Sequence, residues 1–289
     1  YSPSTSNIYW INYRSTNDDI NINSAPLHVG SELEKLLFSR KDTVILTGAT
    51  LSTNENFNHI VETTGFRNAK EILLGSPFNY PEAALICIPS NMPVPNSAAY
   101  QSTLESIIKE AVLSANGHTM ALFTSHAALR STANSIRRDL ELQGINLLTQ
   151  GIDGTPRQLT TNFMKSPRAL LMGTASFWEG VDLPDNSLKV LIVARLPFNV
   201  PTDPVFSARS ELYDNPFSCY AIPQAILRLR QGFGRLIRTG NDKGVAILLD
   251  GRLTSMKYGK SFVDSLPQGT FNFCDFKQLP EQVFQWINK

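Results

Sequence analysis

Short apolar runs alternate with amphipathic segments through most of the chain, and this alternation constrains the fold more than any other feature. Strands that alternate with helices pair in parallel, and a parallel sheet needs helices on both faces. The sequence therefore predicts an α/β domain with a doubly wound parallel sheet. The predicted strands are Ala84–Ile88, Thr119–Phe123, Leu147–Thr149, Ala169–Met172, Val190–Val193 and Val245–Leu249, and the predicted helices include Leu104–Val112, Ala127–Gln143 and Gln158–Met164.

The chain before this domain is less regular. Residues 1 to about 26 predict a polar strand pair or an irregular edge, because Ile8–Ile11 favours β structure and Asn17–Asp19 is typical of a turn. A short helix is predicted at Ser31–Phe38, with Ser31 as its cap. The apolar run Thr43–Leu46 predicts a compact buried strand.

A second helix is predicted from residue 54 to residue 64, and Gly65 should end it. Five prolines then occur within about twenty residues around the Ala84–Ile88 strand. Proline-rich stretches are typical of domain boundaries. We therefore predict one domain at residues 1–80 and a second at 81–289.

The composition argues against several classes of protein but does not identify the class to which the chain belongs. The net charge is only +1, so a nucleic-acid partner would be held by a local patch and not by a general positive field. Cys87, Cys219 and Cys274 are widely spaced and odd in number, which suggests neither a disulfide framework nor a thiolate metal site. No apolar run reaches the roughly 18 residues of a membrane span. We expect a cytoplasmic chain with no metal site and no membrane partner.

Polar loops follow three of the predicted apolar runs. They are Thr47–Ser52, the loop beginning at Phe123 that contains Ser125 and His126, and Gly173–Asp182. Open α/β sheets place their binding loops at strand ends, although many such loops are plain turns. Taken alone, Ser125 is more often a turn cap and His126 more often an ordinary surface histidine.

The segment Gln231–Arg238 is expected to continue a helix that opens near residue 222. On that helix Gln231, Gly234, Arg235 and Arg238 would share one face. Two arginines one turn apart suit phosphate oxygens, and a glycine beside them lets another surface approach. A solvated basic face remains the alternative, since Arg228 and Arg230 are nearby. The opposite face is apolar, through Ala225, Ile226, Leu229, Phe233, Leu236 and Ile237.

Together these segments resemble motifs III to VI of superfamily 2 helicases, in the same order along the chain. The sequences Gly-Ala-Thr-Leu-Ser, Phe-Trp-Glu-Gly-Val-Asp-Leu-Pro, Leu-Pro-Phe and Gln-Gly-Phe-Gly-Arg-Leu-Ile-Arg are similar to the DinG and XPD branch, and closer to bacterial DinG. The resemblance covers about Ala25 to Leu266. It implies a RecA-like second motor domain preceded by a remnant of the first.

The resemblance also implies roles for individual residues in a helicase that hydrolyses ATP with Mg²⁺ and moves along single-stranded DNA. Arg235 and Arg238 would be catalytic, reaching the γ-phosphoryl group from across an interdomain cleft. ATP binding would involve Gln231, Gly234, Glu179, Gly180 and Asp182. DNA binding would involve Ser125, His126 and Thr174, and coupling between the two activities would involve Gly48 and Thr50.

The chain also departs from the pattern of a complete member. It holds no Walker A lysine loop, no acidic metal-holding motif and no set of four cysteines for an iron–sulfur cluster. We therefore expect it to need the missing N-terminal motor domain in cis, and to be inactive alone. A non-catalytic nucleic-acid-binding module and a self-contained nucleotide-binding enzyme remain the alternatives.

Overall fold

A computed structural model describes residues 6–14, 19–52, 56–178, 183 and 187–289. The chain divides into two compact units: residues 1–75 with 198–227, and residues 76–197 with 228–289. We call them the smaller and the larger unit. The motor domains expected at 1–80 and 81–289 stay a prediction.

Nine strands and twelve α-helices lie in the described part of the chain. The strands are β1 (Asn7–Arg14), β2 (Asp19–Pro26), β3 (Ala84–Pro89), β4 (Thr119–Leu122), β5 (Asn146–Thr149), β6 (Ala169–Gly173), β7 (Val190–Val193), β8 (Gly244–Leu248) and β9 (Thr270–Cys274). The helices are α1 (Gly30–Leu36), α2 (Asn58–Thr64), α3 (Tyr80–Ala83), α4 (Tyr100–Ser114), α5 (His126–Leu142), α6 (Pro156–Lys165), α7 (Ala175–Trp178), α8 (Pro204–Ser210), α9 (Ile222–Phe233), α10 (Arg252–Ser255), α11 (Gly259–Ser265) and α12 (Leu279–Ile287).

The larger unit is built on one sheet of seven strands in the order β5-β6-β4-β7-β8-β3-β9. Every neighbouring pair is parallel. Helices α4, α5 and α12 pack on one face, where they form a hydrophobic core with alternate strand residues. The intervening residues of the central strands are buried as well. The sheet is thus covered on both faces, as its all-parallel pairing requires.

All six strands predicted for this sheet are confirmed, with ends that differ by a residue or two. The seventh strand, β9, was missed together with α12. Strand β9 lies at the sheet edge beside β3, and only Cys274 of its five residues is buried. Its short, half-polar sequence therefore lacks the continuous apolar run that marks the central strands.

In the smaller unit, β1 and β2 form an antiparallel hairpin, which confirms the predicted strand pair. The predicted turn at Asn17–Asp19 lies mostly outside the described residues. One face of the hairpin exposes five large side chains: Tyr9, Ile11, Tyr13, Ile20 and Ile22. Helix α8 is joined to the hairpin by Arg209, whose Nη2 donates to the Pro26 carbonyl over 3.1 Å.

Two details of the early helices differ from the prediction. Helix α1 begins at Gly30, and Ser31 does not cap it, because its Oγ donates to the His28 carbonyl. The start predicted for the next helix lies partly outside the described residues, and α2 begins at Asn58. Gly65 ends α2 as predicted, with a left-handed φ of 71°.

The predicted buried strand Thr43–Leu46 is wrong. These residues form no strand, and Ile45 is 80% exposed. A strand is stable only when a neighbour accepts its backbone hydrogen bonds, and no described strand lies beside this segment. An apolar run alone does not supply that neighbour.

Candidate functional site

The polar loops of the larger unit lie along one edge of its sheet. Because all seven strands are parallel, their carboxyl ends meet at that edge. Ser125 follows β4, Thr174 follows β6 and Asp250 follows β8. The edge therefore joins segments that are far apart in the sequence.

Ser125, His126 and Thr174 come together where β4 and β6 end. Ser125 is the N-cap of α5, and its side chain accepts a hydrogen bond from the Ala128 N–H. His126 is the first residue of α5, and its Nε2 lies 3.1 Å from Oγ1 of Thr174. His126 is exposed, whereas Thr174 is only 4% exposed.

Two further residues complete this cluster and were missed in the sequence. Gln150 follows the edge strand β5, and its Oε1 accepts hydrogen bonds from the backbone N–H and the hydroxyl of Thr174. Its Nε2 donates to Oγ of Ser176 over 2.8 Å. The parallel order β5-β6-β4 was the signal that could have found Gln150, because it places the ends of these three strands side by side.

Helix α9 ends earlier than the sequence predicted. Its last residue is Phe233, and Gly234 to Leu236 form a turn. The backbone N–H groups of Arg235 and Leu236 bond three residues back, to Gly232 and Phe233, which tightens the turn. The shared helical face predicted for Gln231 and the two arginines is therefore wrong, since Arg235 and Arg238 follow the helix.

The apolar side of this segment is confirmed. All six side chains predicted for it are buried: Ala225, Ile226, Leu229, Phe233, Leu236 and Ile237. Gly232 packs against Trp178, and a Cβ there would lie 3.1 Å from the indole ring. The close approach of helix and ring explains the glycine at this position.

Both arginines are held by main-chain carbonyls next to the Glu179–Asp182 segment. Arg235 is 8% exposed, and its Nη2 donates to the Trp178 carbonyl over 2.9 Å. Arg238 is half-buried, and its Nη1 donates to the Leu183 carbonyl over 2.8 Å. The two guanidinium groups thus bind on either side of residues 179–182, and a solvated basic face does not describe Arg235.

The backbone after α9 is fixed by Asp242, a buried carboxylate that sequence reasoning missed. Its Oδ2 accepts from the backbone N–H groups of Arg238 and Thr239, each over 2.8 Å.

Arg230, one turn before the helix ends, is half-buried, and burial lowers the pKa of its guanidinium.

The remaining predicted site residues are dispersed. Glu179, Gly180 and Asp182 lie outside the described residues. Gly48 and Thr50 belong to the smaller unit, where Gly48 is exposed and Thr50 is half-buried. Gly234 is exposed, and a Cβ there would meet only backbone oxygens of its own helix, at 3.4 Å or more.

The residues present fit a phosphate-bearing ligand better than a metal ion. Gln231 is half-buried, and its Oε1 is buried with no hydrogen-bond partner among the described residues. Arg235 and Arg238, which follow the same helix, supply cationic donors. Across the described ranges, no three His, Cys, Asp or Glu side chains lie close enough together to hold a metal ion. We therefore assign no described residue to Mg²⁺.

Comparison with known proteins identifies the family to which the chain belongs. The family described as "Helicase C-terminal domain" matches residues 108–269, which is more than half of the chain. The chain therefore belongs to the family of helicase C-terminal domains.

Its relatives include the DinG and YoaA proteins of bacteria. The ATP-dependent DNA helicase YoaA of Escherichia coli is 36% identical over 263 residues, covering 90% of this chain and 40% of the relative. The 3'-5' exonuclease DinG of Bacillus subtilis is 35% identical over 267 residues, covering 89% and 29%. The ATP-dependent DNA helicase DinG of Photobacterium profundum is 34% identical over 269 residues, covering 89% and 39%. The chain thus spans well under half the length of these relatives.

Solved structures confirm the RecA-like fold. Two XPD structures, titled "XPD_Helicase" and "XPD_APO", match with TM-scores of 0.52 and 0.50. Each match covers 66% of this chain, and 35% and 40% of the respective structures, at 16% sequence identity. The resemblance to bacterial DinG is confirmed by the relatives, and the XPD structures share the fold. No helix in the described ranges is long and apolar enough to cross a membrane.

Proposed function

We propose that this chain is the second motor domain, with a remnant of the first, of a longer ATP-dependent DNA helicase. In this proposal Arg235 and Arg238 act on the γ-phosphoryl group of ATP, and the carboxyl edge of the sheet binds single-stranded DNA. The observation that carries the proposal is the bonding of the two guanidinium groups to the main-chain carbonyls of Trp178 and Leu183. The bacterial relatives named as DNA helicases support it.

The arginines would act by electrostatic stabilisation. Charge on the equatorial oxygens of the γ-phosphoryl group is balanced by guanidinium donors that are already positioned. Each guanidinium group is already bonded to one main-chain carbonyl, of Trp178 or of Leu183, so its position is partly fixed before a phosphate binds. Gln231, whose buried Oε1 lacks a described partner, would acquire one when the nucleotide or its bound water arrives.

The remaining parts of the ATP site would lie in the N-terminal motor domain of the longer protein. Mg²⁺, held by residues of that domain, would neutralise charge on the phosphates. The described residues of this chain offer no cluster of acidic side chains for the ion. The chain's own share is therefore restricted to arginine donors, Gln231 and the DNA-binding edge.

The catalytic assignment is tested by DNA-stimulated ATP hydrolysis in the longer protein. We expect Arg238→Ala to lower kcat by about 10³-fold, the lower end of the range for arginines of this kind. Arg235→Ala should do the same. Each substitution also removes the donor to a main-chain carbonyl, of Trp178 or of Leu183, which costs about 1–3 kcal/mol of stability. Arg238 is only half-buried, so it gives the cleaner measurement.

The control is Arg138→Ala, which removes an exposed arginine from α5. This variant should hydrolyse ATP at the normal rate. Thermal unfolding of the 289-residue chain separates a loss of stability from a loss of chemistry. Normal turnover in both arginine variants would contradict the catalytic assignment and favour a non-catalytic nucleic-acid module. Tight ATP binding by the 289-residue chain alone would favour a self-contained nucleotide enzyme.

DNA binding is tested on the 289-residue chain itself. We expect weak, sequence-tolerant binding of a fluorescent oligothymidine that falls as salt rises, because phosphate contacts release counterions. The measurement is fluorescence anisotropy over a salt series. An absence of binding at about 20 mM salt, where phosphate contacts are strongest, would remove the DNA assignment.

A further inference from the structure

A chain of hydrogen bonds joins three strand ends at the proposed DNA-binding edge. It runs from Ser176 through Gln150 and Thr174 to His126. The backbone of Gln150 is itself fixed, because its N–H donates to the Met172 carbonyl over 3.0 Å. His126, the last of these four hydrogen-bonded residues, is exposed and is their titratable member.

The orientation of the Gln150 amide follows from its partners. The backbone N–H of Thr174 is a donor, so the atom 2.7 Å from it must be the carbonyl oxygen Oε1. The amide nitrogen Nε2 then donates to Ser176 Oγ over 2.8 Å. Both ends of the Gln150 side chain are therefore used.

The direction of the Thr174 hydroxyl follows in turn. Its Oγ1 lies 3.1 Å from Oε1 of Gln150, which can only accept, so the hydroxyl proton points to Gln150. Two oxygens at this distance without a shared proton would repel each other. Oγ1 is then an acceptor toward His126, and Nε2 of His126, at 3.1 Å, must carry a proton.

We propose that Gln150 and Thr174 are positioning residues that hold His126 in its Nε2–H form with a fixed ring orientation. The inference rests on the proposed DNA-binding function of this edge and deepens it. Thr174 is almost fully buried and its hydroxyl proton is used within the protein, so of this pair it is the exposed His126 that can meet DNA. With Nε2–H bonded to Thr174, the ring atom left to donate to a phosphate oxygen is Nδ1, when it carries a proton.

The tautomer is tested by long-range ¹H–¹⁵N NMR of the 289-residue chain. We expect a single Nε2–H form for His126 in the natural sequence and in Thr174→Ser, which keeps the hydroxyl. Thr174→Val and Gln150→Leu should give a mixture of tautomers, because each removes a group that fixes the proton. Gln143→Leu, which changes an exposed glutamine after α5, is the matched control.

DNA affinity supplies the second measurement, with the same oligothymidine. Thr174→Val and Gln150→Leu should each weaken binding by about 2- to 10-fold, the equivalent of one hydrogen bond. In a His126→Ala background neither substitution should weaken binding further, because both act through His126. Thr174→Ser should bind as the natural sequence does.

The outcomes separate this inference from the proposed function. An unchanged tautomer in both Thr174→Val and Gln150→Leu would overturn the inference while the DNA function stands. The inference would also be overturned if Thr174→Val and Gln150→Leu still weakened DNA binding in the His126→Ala background. It would be overturned as well if His126→Ala itself bound DNA normally. If the natural sequence binds no DNA, the proposed function fails, while the NMR measurement still decides whether Gln150 and Thr174 position His126. If Gln150→Leu does not fold, the comparison of Thr174→Val with Thr174→Ser carries the test.

Discussion

Asp250, at the end of β8, supports the structure of the sheet edge through several hydrogen bonds. It is buried, its Oδ2 accepts from the Leu196 N–H over 2.8 Å, and it pairs with Arg252 at 2.6 Å. Burial alone would lower the pKa of Arg252, but the hydrogen bonds and charge of Asp250 outweigh it and the pKa is raised. These bonds indicate a structural role for Asp250 and Arg252.

We predict that Asp250→Asn destabilises the chain by about 3 kcal/mol, because breaking a buried ion pair leaves an uncompensated charge on its partner. The measurement is the free energy of unfolding by urea denaturation. The matched control is Asp139→Asn, whose partner Lys109 lies 2.9 Å away at the surface. An exposed pair of this kind contributes about 0–1 kcal/mol. Equal losses in the two variants would show that the burial of Asp250 does not determine its contribution.

For Arg235, the sequence did not predict where the side chain lies. The sequence identified the arginine pair and its resemblance to a phosphate-binding motif, but it placed both residues on an exposed helix face. The helix instead ends at Phe233, beside two glycines whose helix propensity is low. The last turn of the helix packs through Gly232 against Trp178, which is far away in the sequence. Local periodicity contains no information about that contact.

At the level of elements, the N-terminus of α5 combines a structural and a proposed binding role in Ser125. The Ser125 side chain accepts from the Ala128 N–H, and the helix that follows is 17 residues long. Backbone N–H groups and the helix dipole make such a terminus favourable for negative charge. A substitution that keeps the cap but adds charge can therefore separate the two roles.

We predict that Ser125→Ala lowers the free energy of unfolding by about 1 kcal/mol, since alanine cannot cap the helix. Ser125→Asp should keep the stability, because aspartate is a good N-cap, but it should weaken DNA binding by placing a negative charge beside the phosphates. Thermal unfolding and oligothymidine anisotropy measure the two effects. If Ser125→Asp binds DNA as well as the natural sequence does, then Ser125 is a cap and nothing more.

Most of the larger unit's elements were predictable because each central strand is a continuous apolar run between helical segments. The runs at Val190–Val193 and Val245–Leu249 could be placed without knowledge of their neighbours. Thr43–Leu46 has the same local pattern, yet it forms no strand, because no described strand pairs with it. Gln150 could not be placed in the site, because only the strand order brings it to Thr174. Strand order and pairing are properties of the whole sheet.

At the scale of the whole molecule, the smaller unit contains apolar segments without described partners. Ile45 is exposed in the segment 43–48, and Ile72, Leu73 and Leu74 are exposed in the segment 71–75. Neither segment forms a helix or strand. Monomeric proteins rarely expose contiguous apolar runs of this kind. Under the proposed function, the two segments form strands when the rest of a first motor domain is present.

This explanation predicts a difference in amide hydrogen exchange between the 289-residue chain and the longer protein. In the 289-residue chain, amides of residues 43–48 and 71–75 should exchange rapidly, because no backbone hydrogen bond among the described residues protects them. In the longer protein they should become slow, since pairing into a sheet would bury and bond them. The control is β7, a central strand whose amides should exchange slowly in both proteins. Rapid exchange of the two segments in the longer protein would show that another surface, and not strand pairing, accounts for their apolar residues.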